Sequence, residues 1–190
     1  MLKITKGGTL FRVDKFPWDN GCAKPMTYAT VSYDEGGYYV HFASFETPVR
    51  AVHTAHNTPV HEDSCMELFA AFASDDARYI NFEINPNGAA HCAVGEGRND
   101  RVELDPKDID TLGIRAEVFD DRWEIRYRIS KELITKYLPG YEHKEGAVIR
   151  ANFYKCGDKT GHEHYGCFNM INWASPDFHR PEFFAEIELA

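Results

Sequence analysis

The chain has 190 residues, a formal net charge of -9 and a composition that is 43% hydrophobic and 14% aromatic. That length suits one domain, 1–190, able to bury a core without metals or disulfides. The acidic balance argues against nucleic acid and against an anionic membrane surface, both of which require a basic footprint. The five cysteines form no Cys-x-x-Cys pair and read as reduced thiols. Met1–Gly8 has no apolar signal core, so the expected location is cytoplasmic.

The chain is dominated by alternation with a period of two, the signature of strands with one buried face. A first hairpin is expected over Tyr28–Phe45, turning at Asp34-Glu35-Gly36-Gly37. A strand follows at Ser64–Phe72, where Met66, Leu68, Ala70 and Phe72 form the apolar set and Glu67 points the other way. Tyr79–Ile84 and Ala89–Val94 form a second hairpin across Asn85-Pro86-Asn87-Gly88, with Asn81, Glu83 and Asn85 on the outer face. The run Ile114–Ile129 gives a third, broken at Asp120-Asp121, in which Trp123 alternates with the core set. Ser130–Tyr137 reads as one short helix with Ser130 as N-cap and Pro139-Gly140 as its stop. Ala147–Lys155 places Ile149, Ala151 and Phe153 inside and Arg150, Asn152 and Tyr154 outside, and further strands fall at Tyr165–Ile171 and Phe183–Leu189. Many short strands with one helix imply an all-β, antiparallel β-sandwich, jelly-roll-like in type.

The outward residues suggest a polar sheet surface, whose two readings are a solvated face with cross-strand ion pairs and a site for a ligand rich in hydroxyl groups. Carboxylates accept, amides donate and accept, and a guanidinium donates through a planar fork, which is what sugar hydroxyls require.

Five ordered stretches carry a resemblance. They are His61-Glu-Asp-Ser-Cys-Met-Glu-Leu-Phe69, Phe82-Glu-Ile-Asn-Pro-Asn-Gly88, Trp123-Glu-Ile-Arg-Tyr-Arg-Ile129 before a helix, Arg150-Ala-Asn-Phe-Tyr-Lys155, and Trp173 followed by Phe178-His-Arg-Pro-Glu-Phe-Phe184. Together they resemble the family 9 carbohydrate-binding modules. The resemblance implies a β-sandwich that binds a mono- or oligosaccharide without catalysis, and calcium, where such modules hold it, as a structural ion. Ligands of the family lie between two tryptophans. Trp173 matches one, Glu67 matches the acidic residue of the central motif, and His61 stands where the second tryptophan falls. The expected carbohydrate-binding residues are therefore Trp173, Glu67, His61, Asn85, Arg150, Asn152, Tyr154 and Asn172.

Other constellations leave alternatives open. Glu67, Glu83 and Asp63 are the carboxylates a glycoside hydrolase would need. His162-Glu163-His164 with Cys167 has the spacing of a metal pair on a strand, and Asp63 with Glu62 offers oxygen ligands of the kind calcium takes. A protein-interaction module would use the same outer face, with a second copy of the chain as one partner.

Overall fold

A computed structural model describes residues 1–190. The strands are β1 (Leu2–Ile4), β2 (Thr9–Val13), β3 (Met26–Asp34), β4 (Gly37–Phe45), β5 (Cys65–Ala71), β6 (Tyr79–Ile84), β7 (Ala90–Gly95) and β8 (Val102–Glu103). After helix α1 (Pro106–Asp110) come β9 (Arg115–Val118), β10 (Trp123–Ser130), helix α2 (Lys131–Tyr137), β11 (Val148–Cys156), β12 (Tyr165–Cys167) and β13 (Ala185–Leu189). They form a two-sheet sandwich. One sheet has eight strands in the order β1-β13-β11-β5-β6-β7-β8, with β12 also on β11; the other has five, β2-β3-β4-β10-β9. All pairs are antiparallel except β1 with β13.

The turns form where their chemistry directs. In the β3–β4 hairpin, Gly36 N–H donates to the Asp34 carboxylate at 2.8 Å. Gly37 follows at φ 143°, and a Cβ there would sit 2.1 Å from the Ile129 carbonyl oxygen, so no other residue fits. Helix α2 begins as expected, with the Ser130 hydroxyl accepting from Leu133 N–H at 3.1 Å. Its Leu133 and Ile134 are buried and pack the helix against the core. The second helix, α1, went unforeseen although Asp105-Pro106 is an N-cap followed by proline at the first helical position.

Alternation assigns the inner faces correctly. Met66, Leu68, Ala70, Ile80, Phe82, Ile84, Trp123, Ile149 and Phe153 all belong to one buried cluster between the sheets. On the smaller sheet the outer positions are partly exposed, as in β3, where buried and half-buried residues alternate. On the larger sheet the pattern breaks: every residue of β5 and β6 is buried. A second apolar cluster explains this. Cys65, Phe69 and Ala71 of β5, Tyr79 of β6 and Tyr154 of β11 are roofed by Cys167, Ile171, Phe178 and Phe184 from the chain after β11. The outer face of the larger sheet is thus half covered, and what stays open beside the cover is a cleft.

Candidate carbohydrate-binding site

The cleft has a volume of about 500 Å³, within the range of small-ligand sites. Its floor is the outer face of the larger sheet. Glu67 of β5 and Glu83 of β6 stand directly opposite one another across the strand pair, with His91 and Ala93 of β7 alongside. One wall is His61, from the 3-10 turn Val60–Glu62, with Asp158 from the turn after β11. The facing wall is Asp177, Phe178 and His179, and Arg98 with Arg101 close one end.

Glu67 is only 2% exposed and Glu83 5%. Glu83 accepts one hydrogen bond, from the Asn81 amide at 3.0 Å. Asn81 is itself oriented by Arg101, whose Nε donates to its oxygen at 3.1 Å. The Arg101 guanidinium also donates to the carbonyls of Gly97, Tyr79 and Ala93 and lies 4.2 Å from the Tyr79 ring centroid. Burial holds both carboxyl groups above the ordinary carboxylate range. For Glu67 the charges of Glu83 and Asp158 push the same way. For Glu83 the Arg101 charge and the Asn81 bond oppose the rise without cancelling it. The wall histidine His179 is pinned by its Nδ1, 2.7 Å from the Tyr79 hydroxyl, and burial pushes its pKa down to about 3, so its ring stays neutral.

Of the residues expected from sequence, His61 and Glu67 line the cleft. The others do not, and the expectation of an open face formed by Glu67, Asn85, Arg150, Asn152 and Tyr154 is corrected here. Asn85 is buried: its amide donates to the His53 carbonyl at 2.8 Å and to Asp63 at 2.9 Å, and its oxygen accepts from Asn87 and Ala89 N–H groups. Asn152 is buried too, clamping the backbone N–H and C=O of Asn169 at 2.8 and 2.9 Å. Tyr154 stacks on Phe178 with ring centroids 4.1 Å apart and donates to its carbonyl. Asn152 and Tyr154 hold the cover down, Asn85 ties its own turn to the His53 and Asp63 segment, and a ligand cannot reach any of the three. Arg150 pairs with Ala71 and Glu186, towards the β13 side of the sheet and outside the cleft lining. Asn172 and Trp173 lie exposed on the covering segment. Trp173 is 45% exposed, and the Arg180 guanidinium lies 3.3 Å from the centroid of its ring. Arg180 pairs in turn with Asp177 at 2.9 Å, so Trp173 connects to the cleft through two intervening side chains. Trp18 fixes that loop by donating its indole N–H to the Trp173 carbonyl at 2.8 Å.

Sequence reasoning passed over Arg98, Arg101, Asp158, Phe178 and His179 as site residues, and none follows from strand parity. His91 was accessible to it, since Ala90, Cys92 and Val94 take the core side. Neither metal constellation survives. The His164 ring is spent on Lys155 Nζ at 2.8 Å and on the His162 carbonyl, while His162 is exposed. Asp63 accepts from Val52 N–H, His53 N–H and Asn85, and Arg50 lies 3.4 Å from its other oxygen. With a guanidinium already beside Asp63 and no cluster of three acidic, His or Cys groups in ligating position, this donor set does not fit calcium.

The sequence matches the model of carbohydrate-binding family 9 over residues 7–189, and the chain belongs to that family. Among curated proteins none matches. Of solved structures, the chain is similar to a candidate carbohydrate-binding protein of Bacteroides uniformis, with TM-score 0.86 and 25% identity over 97% of this chain and 87% of that one. It also shares its fold with a family 9 module of Caldicellulosiruptor kristjanssonii, at 13% identity in both of two complexes. The glucose complex gives TM-score 0.65, covering 97% and 85% of the two chains. The cellotriose complex gives 0.62, covering 99% and 92%. The function the family defines is carbohydrate binding.

Proposed function

We propose that the cleft beside the cover binds one sugar ring, as a free monosaccharide or as the end of a longer chain. The supporting observation is the place of Glu67. This residue of the family's central motif lies on the floor of a sugar-sized concavity, flanked by groups of the kind sugar hydroxyls bind. Glu67, Glu83 and Asp158 accept, Arg98 and His61 donate, and Phe178 and Tyr165 offer apolar edges to C–H faces. Glucose and cellotriose in the similar modules support the same ligand class here. A ligand longer than one ring that passes Asp177 and Arg180 reaches Trp173, which gives that residue and Asn172 a peripheral part.

The test is a panel of free mono- and oligosaccharides followed by titration of any hit. Glu67→Gln should weaken the hit at least tenfold while the protein still melts cooperatively. Unchanged affinity in Glu67→Gln would move the site away from the cleft. Turnover of an aryl glycoside that vanishes in the same variant would replace binding by hydrolysis.

A further inference from the structure

The chain treats its buried carboxylates in two ways. Glu46 has Lys155 Nζ at 3.0 Å. Glu124 has Arg122 at 2.7 Å and Arg126 close by. Asp63 has three N–H donors and Arg50 at 3.4 Å. Each is neutralised by a cation of the chain itself, as burial of a charge requires. Glu67 and Glu83 are as deeply buried, and neither has a cation of the chain in ion-pair contact. Glu67 accepts no hydrogen bond of ordinary geometry, and the thiol of Cys65 beside it is only a weak donor.

The positive groups around the cleft are committed elsewhere. Arg101 spends its donors on Asn81 and three carbonyls. Arg98 pairs with Asp177 at 3.1 Å. Lys155 points into the sandwich interior, to Glu46, the Cys156 carbonyl and His164. The His179 ring is neutral, and His61 lies 3.9 Å from Asp158, a third carboxylate facing the same space. The floor therefore holds two facing carboxyl groups that no cation of the chain contacts, one of them without a strong donor, open to a ligand.

Resting on the reading of the cleft as a sugar site, we propose that its ligand is an amino sugar with a free ammonium group, which Glu67 and Glu83 receive together. An ammonium brings three donors and a positive charge, whereas a hydroxyl brings one donor and no charge. Charge-assisted hydrogen bonds are about twice as strong as neutral ones, so the ammonium should be preferred by about tenfold or more.

The experiment is calorimetric titration at neutral pH with methyl glycosides in three matched sets. These are glucose, galactose and mannose, their 2-amino-2-deoxy counterparts, and the N-acetyl forms of those. The expected result is an amine that binds at least tenfold more tightly than both its neutral parent and its N-acetyl form, with the advantage removed by Glu67→Gln and by Glu83→Gln. Each variant keeps the shape of the side chain and is checked by thermal melting, so loss of folding in one leaves the other to decide. Parents that bind as tightly as the amines overturn the ammonium assignment and leave the sugar cleft intact. N-acetyl forms that match the amines also overturn it, because acetylation keeps the nitrogen and removes the charge. Titrations in which no member binds overturn the cleft reading together with the assignment.

Discussion

Two buried charge clusters lie on opposite faces of the larger sheet and are built on opposite principles. At Glu46, one oxygen takes the Trp123 indole N–H at 3.0 Å and the Lys155 ammonium at 3.0 Å, and the other takes the Ser64 hydroxyl at 2.9 Å. Lys155, fully enclosed, also donates to the Cys156 carbonyl and to His164. Every strong polar group there has a partner from the chain, and the Glu46 carboxyl is held below its ordinary range by Lys155 and His164 despite its burial. At Glu67 and Glu83 the same burial raises the carboxyl groups, because the chain brings no cation into contact. A closed network serves stability, whereas an unfinished one costs stability and leaves interaction energy for a ligand.

The largest effect should come from breaking the closed cluster. Lys155→Met leaves Glu46 buried without its cation and should cost about 3–5 kcal/mol, read by denaturant unfolding. Adding Glu46→Gln should recover much of that loss, since the amide oxygen can still accept from the Trp123 indole while the amide NH2 donates to the Ser64 hydroxyl oxygen. No recovery would mean that the cluster is held by packing rather than charge.

At the open cluster the same kind of substitution should act in the other direction. Carboxyl groups whose folded pKa is raised bind protons more tightly folded than unfolded. Their contribution to stability is fully present below the ordinary Glu value and is lost as pH rises through the folded value, about 7 for Glu83. Glu67→Gln should therefore stabilise the free protein at pH 8 by about 1–3 kcal/mol, with the gain fading towards pH 4.5. Stability curves for wild type and variant over that interval test the sign. A variant less stable at pH 8 would show that Glu67 is already paired.

The residues that hold the cover sharpen the contrast. Asn152→Ala removes the clamp on Asn169 and leaves buried backbone groups without partners, which should cost about 1–3 kcal/mol in thermal or denaturant unfolding. The smallest effect is expected at Trp173, which is 45% exposed and whose ring lies against the Arg180 guanidinium. Trp173→Ala should change stability by less than about 0.5 kcal/mol and affinity for a single sugar unit by less than about threefold. A much larger loss of affinity would put that ring inside the site.

The sandwich was largely legible in the sequence. Period-two alternation fixes which side of each strand faces the core, and Ser130 and the Asp34 and Asn85 turns mark where strands end. It predicts direction and is silent on cover. Asn85, Asn152 and Tyr154 do point away from the core, but the chain after β11 returns over Asn152 and Tyr154, the segment carrying His53 and Asp63 closes over Asn85, and only the fold shows that. A hint was present in the apolar Cys65, Phe69, Ala71 and Tyr79 on the supposedly polar face, which asks for a second buried layer. Glu67 and His61 were found through motif and resemblance. Arg98, Arg101 and Asp158 come from turns and short connections whose side-chain directions no periodicity encodes.

The proposed sugar site stands or falls on Glu67 as its floor. The most direct measurement is the affinity of whichever sugar binds wild type, titrated in parallel against Glu67→Gln at neutral pH. The expected result is a loss of at least tenfold in a variant that is no less stable than wild type. Equal affinity in a folded Glu67→Gln would contradict it.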